Sequence, residues 1–237
     1  MGRNPQRTAA RPRRRVAPLL PLIAICAALS GDPSRFTAVS SAAQLTKGRV
    51  KALAVGKCLV ASRELPDPNF SDSVVLLAEY GASGAMGVIV NRPTDLPIAR
   101  VLKDMQGAQG RTDVVYFGGP VSTDALVALV RSAPELAGSR RVLNDVQLIT
   151  TRESLEPLLS SGVKRDNLRT FLGYAGWGRG QLERETAAGY WHVVSGDADL
   201  VFDPEPEAVW LRLIRSTERL IALRLYPPAS TVGQPRG

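Results

Sequence analysis

Three short apolar segments lie close together in the first half of the sequence, and turn-forming residues separate them. "CLVAS" (58–62) and "SVVLLAEY" (73–80) have the composition of strands, while "RELPDPNFSD" between them is rich in turn residues. "AMGVIVN" (85–91) follows the flexible connection "YGASG". The pattern predicts three strands, of which the last two form a hairpin of buried strands. A chain with this segment must be built on a β-sheet.

Further strands and helices are predicted along the rest of the chain. The expected strands are 113–121, 124–131, 145–151, 168–175, 190–196 and 198–203. The expected helices are 97–105, a short one after Thr151 that stops at Gly162, one starting near Gln181, and 206–223. Because strands occur both in neighbouring pairs and on either side of helices, the order favours a mixed-sheet α+β or α/β domain over a regular βαβ repeat.

Composition divides the chain into four parts. Residues 1–30 form a basic and then apolar leader of the secretory signal-peptide type, 31–51 a linker, 52–225 the folded domain, and 226–237 a disordered tail rich in proline and glycine. The leader predicts export to the periplasm or the medium. The alternative is a cytoplasmic protein with a disordered basic leader or a wrongly chosen start codon.

The charge of the protein is concentrated in the leader. The formal net charge is +8, but six arginines precede the first acidic residue, Asp32, and removing them from 30 basic residues leaves 24 against 22 acidic ones. The domain therefore carries no strong nucleic-acid signal, because binding to DNA is driven largely by cationic side chains. No later apolar run is long enough to span a membrane, so no transmembrane span is predicted in the mature domain.

The residues that usually carry chemistry are scarce. The only histidine, His192, lies in a predicted strand, and no G-x-S-x-G elbow supplies a serine partner. Cys58 lies in an apolar run, where a cysteine usually behaves as a small buried hydrophobe. The sequence has too few cysteines and histidines for a Cys/His zinc cluster. A metal site built only from carboxylates is left as an alternative, although the sequence has no EF-hand spacing. We predict no catalytic residue, no metal and no cofactor.

A glycine-spaced stretch, "FLGYAGWGRGQLERE" (171–185), passes from an apolar segment into a charged one. A strand, a glycine loop and a helix in this order can bind an anion through free N–H groups. However, Glu183 and Glu185 fall at the start of the predicted helix, where they already complement its positive end. We therefore favour a structural use of these glycines, in turns and close backbone packing, and the same for the pair Gly118–Gly119.

Several motifs occur in a specific order: "LVASRELPDPNFSDSVVLLAEY", "GAMGVIVNRP", "VYFGGPV", "FLGYAGWGRGQLERE" and "WHVVSGDADLVFD". By these motifs the chain resembles the YqgE/AlgH family of bacterial proteins, from about residue 57 to residue 223. The resemblance implies a single α+β domain with a large mixed β-sheet packed by helices. Some family members are named transcriptional regulators of alginate production, but the family has no established enzymatic activity.

The resemblance also singles out candidate residues for a shared pocket or surface, here called the signature residues. They are Asn91, Arg92, Gly118, Gly119, Tyr174, Trp177, Gln181 and Glu183. The favoured hypothesis is a noncatalytic regulatory protein that binds a small molecule or a protein partner. The alternative is a hydrolase-like enzyme with one pocket formed by the "NRP", "GGP" and "GQLE" segments. The long front end departs from the family pattern and, if it directs export, argues against transcriptional regulation.

Overall fold

The computed structural model describes residues 52–132 and 134–225, so the predicted leader, linker and tail lie outside the described residues. The strands are β1 (Lys57–Ala61), β2 (Val74–Gly81), β3 (Gly84–Ile89), β4 (Pro93–Pro97), β5 (Val114–Phe117), β6 (Val121–Arg131), β7 (Arg140–Leu143), β8 (Val146–Ile149), β9 (Leu168–Gly178) and β10 (Trp191–Ser195). The helices are α1 (Ile98–Val101), α2 (Arg152–Ser160), α3 (Gln181–Ala187), α4 (Ala198–Val201) and α5 (Pro206–Leu225). Two 3-10 turns cover Pro68–Phe70 and Arg165–Asn167.

The strands form one large mixed sheet. Its main order is β10-β1-β2-β3-β9-β6-β8-β7, with β5 pairing both β4 and β9. The β5–β9 pair is parallel and the other pairs are antiparallel. The predicted hairpin of β2 and β3 is confirmed, with Gly81 opposite Gly84 at its closed end. The fold is therefore α+β with a large mixed sheet packed by helices, as the family resemblance implies.

Strand β9 joins the two halves of this sheet. Its first half lies between β5 and β6, whereas its second half pairs with β3. Because side chains alternate along a strand, Phe171, Ala175 and Trp177 all reach the same buried core. The strand continues through the glycines as far as Gly178, so the predicted strand end near residue 175 and the glycine loop after it are wrong.

Buried apolar side chains form two cores against the sheet. In the larger core, α5 packs against β1 through Trp210 and Ile214, and the Trp210 indole donates to the Ala61 carbonyl oxygen over 2.8 Å. In the smaller core, Leu155 and Leu159 of α2 pack with residues of the sheet. Each such leucine contributes roughly 1.5–3 kcal/mol through its burial. The two cores explain why a chain with few long helices forms a stable sheet.

Local structure differs from the sequence prediction at several places. The segment 198–203, predicted as a strand, begins with α4, because the Asp197 carboxylate caps the helix by accepting from the Leu200 amide over 2.7 Å. The helix predicted for 97–105 is a single turn, α1. The strands β4 and β7 were not predicted from the sequence. No helix in the described ranges is both long and apolar enough to cross a membrane.

Candidate functional site

Asn91 follows β3 and ties it to the start of β2. Its side-chain oxygen accepts from the Val74 amide over 2.7 Å, and its side-chain nitrogen donates to the Asp72 carbonyl oxygen over 2.9 Å. The side chain is buried, 5% exposed. Both polar groups are therefore used within the protein, as buried amides require.

Arg92 holds the turn that precedes β2. Its guanidinium donates to the carbonyl oxygens of Asn69, over 2.5 Å, and of Ser71. The same group lies 6.0 Å from the centre of the Phe117 ring, within range of a cation–π contact. Burial lowers the pKa of the Arg92 guanidinium, and the nearby Asp72 carboxylate acts in the opposite direction. Arg92 thus fixes the segment 67–71.

Gly118 and Gly119 allow two backbones to touch. A Cβ atom at Gly118 would collide with the Gly173 carbonyl oxygen, and one at Gly119 would collide with the backbone of Tyr174. Gly119 also has φ = 150°, a conformation that residues with side chains rarely adopt. Only glycine therefore fits at these two positions. The close packing agrees with the structural role expected for Gly118 and Gly119.

Glu185 is the centre of a hydrogen-bond network around α3. Its Oε2 accepts from the Trp177 indole over 3.0 Å and from the Trp191 indole over 2.8 Å, while its Oε1 accepts from the Gln181 side-chain amide over 2.9 Å. The Gln181 oxygen accepts in turn from the Gly178 amide over 3.1 Å. Glu185 was expected to complement the positive end of the helix, but its carboxylate instead joins β9, α3 and β10.

Phe70 connects this network to the segment held by Arg92. Its ring stacks on Trp177 with centroids 6.1 Å apart and meets Trp191 edge-on at 5.6 Å. Such aromatic pairs add about 0.5–1.5 kcal/mol beyond area burial. The exposed residues Asp67, Pro68 and Asn69 therefore sit on a rigid base formed by signature residues on two sides.

Glu183 and Tyr80 form the outer part of the same region. The Tyr80 hydroxyl donates to Glu183 Oε1 over 2.8 Å, and burial together with this carboxylate raises the pKa of Tyr80. Tyr80 and Trp177 line an open cleft of about 540 Å³, which also contains an ion pair between Glu79 and Arg140. This cleft is large enough for a small ligand, since typical ligand pockets measure roughly 300–1,000 Å³.

Tyr174 lies apart from the Glu185 network. It occupies β9 opposite Val121 and is half-buried, next to the exposed Gly176. Of the three segments in the hydrolase hypothesis, "NRP" and "GGP" adjoin, since the Phe117 amide donates to the Arg92 carbonyl oxygen over 2.9 Å. The "GQLE" segment is linked to Phe70 through Trp177, because Gln181 accepts from the Gly178 amide and the Trp177 ring stacks on Phe70.

The remaining candidates for chemistry are buried in strands. Cys58 is fully buried in β1, and burial, assisted by the Asp197 carboxylate, raises the pKa of its thiol to about 12. A thiol with this pKa stays protonated and is a poor nucleophile at neutral pH. His192 lies in β10 opposite Val60 and is 8% exposed. Residues 52–132 and 134–225 contain no group of three His, Cys, Asp or Glu side chains arranged to hold a metal ion.

Comparison with known proteins identifies similar chains. A family model described as AlgH-like matches residues 58–221. A UPF0301 protein of Streptomyces coelicolor is 42% identical over 179 residues, which cover 73% of this chain and 91% of that protein. A UPF0301 protein of Streptomyces avermitilis is 37% identical over the same length and coverage.

Solved structures match as well. The solution structure of the AlgH protein from Pseudomonas aeruginosa has a TM-score of 0.57 and 30% identity, covering 74% of this chain and 95% of that one. A crystal structure of a Corynebacterium diphtheriae protein gives a TM-score of 0.59 at 24% identity, covering 73% and 91%. At that identity the second likeness concerns the fold alone. The names of these relatives specify no catalytic activity.

Proposed function

This chain belongs to the AlgH-like family, which includes proteins named UPF0301, and we propose that it is a noncatalytic regulatory protein that acts by binding a ligand or a partner. One observation carries the proposal. The polar side chains at the centre of the signature region are occupied by internal hydrogen bonds, and Glu185 accepts from two indoles and one amide.

This bonding pattern is unsuited to acid–base or nucleophilic catalysis. A catalytic base must accept a proton from the substrate, which requires a lone pair directed at that substrate. The lone pairs of Glu185 are directed at neighbouring donors, and both polar groups of Asn91 bond to backbone atoms. The region is instead a rigid support that presents exposed surface, which suits binding.

A hydrolase-like enzyme is the second candidate. The observation in its favour is the hydrogen bond from the Phe117 amide to the Arg92 carbonyl oxygen, which brings the start of the "GGP" segment close to the "NRP" segment. Such an enzyme would need the Arg92 guanidinium to leave the carbonyl oxygens of Asn69 and Ser71 and bind substrate. The two candidates differ in one respect that can be measured, which is turnover.

A broad screen of hydrolase and phosphatase substrates tests the proposal. The full chain should show no turnover above that of the variants Asn91→Ala and Glu183→Gln, assayed side by side. Turnover that disappears in either variant, while circular dichroism shows that the variant is folded, would defeat the noncatalytic proposal. Glu64→Gln is a matched control, since Glu64 is an exposed carboxylate distant in sequence from the signature residues.

A further inference from the structure

The lining of an arginine-rich cleft includes none of the signature residues. The cleft measures about 600 Å³ and is bordered by β5, the end of β6, the 3-10 turn at 165–167, the start of β9 and the segment after α4. Arg131, Arg165 and Arg169 all line it. Its volume falls within the range of small-molecule sites, roughly 300–1,000 Å³. We refer to it as the arginine cleft.

Arg169 is the unusual member of this set. Its side chain is buried at 8% exposure, yet no ion pair within the described ranges includes it. Its guanidinium donates to the carbonyl oxygens of Val90, over 3.1 Å, and of Asp203, and lies 4.7 Å from the centre of the Tyr116 ring. Burial lowers the pKa of this guanidinium, and the neighbouring Tyr116 and Asp203 side chains act in the opposite direction.

A buried cation that forms no ion pair is costly, because burial removes the water that solvates its charge. A bound anion would supply the missing counter-charge. The fork of N–H groups on arginine matches the oxygen atoms of phosphate and carboxylate, and such charge-assisted hydrogen bonds are stronger than neutral ones. Arg169 is therefore positioned as the inner wall of an anion site.

Arg165 supplies a second cation at the mouth of the cleft. Its guanidinium donates to the Thr112 hydroxyl over 2.8 Å, and no ion pair of the described part of the chain involves it. Tyr116, on the wall beside Arg169, adds a phenol that can donate a hydrogen bond. An anion between Arg165 and Arg169 would meet donors from two sides.

The acidic residues near the cleft are mostly already paired. Asp113 binds Arg111 over 2.7 Å, and Arg131 is neutralised by Asp145 and Asp199 at 3.0 and 2.6 Å. Among the acidic groups around the cleft, Asp203 is paired with Arg212. The Glu207 carboxylate acts to raise the pKa of the Tyr116 hydroxyl. Asp166 is the exposed lining carboxylate without an ion pair in the described ranges, and it opposes an anion.

We propose that the arginine cleft is a binding site for a small anionic ligand carrying a phosphate or carboxylate group, held between Arg165 and Arg169. The proposal deepens the binding function proposed above and rests on it for the role of the ligand. A small ligand fits better than a nucleic acid, because the site is a single concave cleft in a domain whose basic and acidic residues nearly balance.

Isothermal titration at low ionic strength tests the site in the full chain. The probes are inorganic phosphate, AMP, citrate and, as a neutral compound of similar bulk, adenosine. AMP or phosphate should bind if the ligand group is a phosphate, citrate should bind if it is a carboxylate, and adenosine should not bind. Binding should weaken as the salt concentration rises, because salt screens charge-assisted contacts.

Three single variants assign the binding to the cleft. Arg165→Gln should weaken binding by about tenfold, the loss expected for one charged hydrogen bond. Asp166→Asn should strengthen binding, since it removes the opposing carboxylate. Arg219→Gln is the matched control, because it removes the same charge from the exposed face of α5 and should change affinity less than about twofold. Thermal unfolding without ligand shows that each variant is folded.

The outcomes separate the site from the proposed function. Binding that depends on Arg165, without release of phosphate from AMP, supports both. Binding with Arg165-dependent release of phosphate supports the site but overturns the noncatalytic function. The absence of binding by all three anions, or an equal loss with Arg219→Gln, overturns the site but not the noncatalytic function, which the turnover screen tests separately.

Discussion

The Trp191 indole donates to Oε2 of Glu185 over 2.8 Å, which fixes β10 to α3. The Trp177 indole donates to the same oxygen from β9, so one carboxylate atom accepts from two strands. All donors to this carboxylate in the described structure are neutral. Because the acceptor is a carboxylate, these bonds are charge-assisted and stronger than bonds between neutral groups. Losing this acceptor leaves two largely buried indole N–H groups unsatisfied.

Replacing Glu185 should therefore destabilise the fold. We expect Glu185→Ala to lower the free energy of unfolding by about 2–4 kcal/mol, because two indole donors and one amide donor lose their acceptor. Urea denaturation followed by tryptophan fluorescence measures this change. Glu64→Ala is the control and should stay within about 0.5 kcal/mol of the unmodified protein. Equal stability of the two variants would show that the network contributes nothing.

Asn91 should contribute to stability rather than to chemistry. Asn91→Ala removes the acceptor of the Val74 amide and the donor to the Asp72 carbonyl oxygen, so we expect a loss of about 1–3 kcal/mol. Chemical denaturation is again the measurement. Asn144→Ala, at an exposed position, is the control and should have little effect. An Asn91→Ala protein of unchanged stability would contradict the structural role assigned to this residue.

Gly119 should not tolerate a side chain. Its φ of 150° is unfavourable for alanine, and the added Cβ would meet the backbone of Tyr174 and Ala175. We expect Gly119→Ala to cost more than about 3 kcal/mol or to prevent folding. Gly81→Ala is the matched control, since no atom lies within 4 Å of a Cβ there. If the two variants had the same melting temperature, this result would contradict the close packing at Gly119.

Cys58 should be unreactive while the protein is folded. In a Cys26→Ser background it is the only thiol, and its pKa of about 12 predicts no reaction with a disulfide reagent at pH 8 until the protein unfolds. Rapid labelling of the native protein would contradict the deep burial of this thiol. Adding denaturant before the reagent is the positive control.

The same pKa predicts a pH dependence of stability. The folded pKa lies above the ordinary value of 9.0, so the folded protein binds more protons than the unfolded chain between pH 9 and about 12. This contribution is present in full below pH 9 and is lost as the pH rises through that window. The difference in free energy of unfolding between the Cys26→Ser protein and its Cys58→Ala variant should therefore fall between pH 9 and 11. A constant difference would contradict the prediction.

Sequence patterns were sufficient where local chemistry decides the structure. The strand pattern of 58–91 and the β2–β3 hairpin were predictable, because alternating burial and turn residues act over a few positions. The ordered motifs were sufficient to identify the family and, through it, the α+β fold. The segment 198–203 was not predictable in this way, since a cap by Asp197 favoured a helical turn over the strand suggested by its apolar residues.

The sequence by itself determined the strand-rich chain, the family and the near balance of charge outside the leader. Only the tertiary structure decided which polar side chains meet, because such contacts join residues far apart in the chain. It directed Glu185 to two indoles, placed Arg169 beside Tyr116 without an ion pair in the described residues, and brought Gly119 against Tyr174. Hydrogen bonds and charges act over a few ångströms, so their partners are set by how the sheet is assembled.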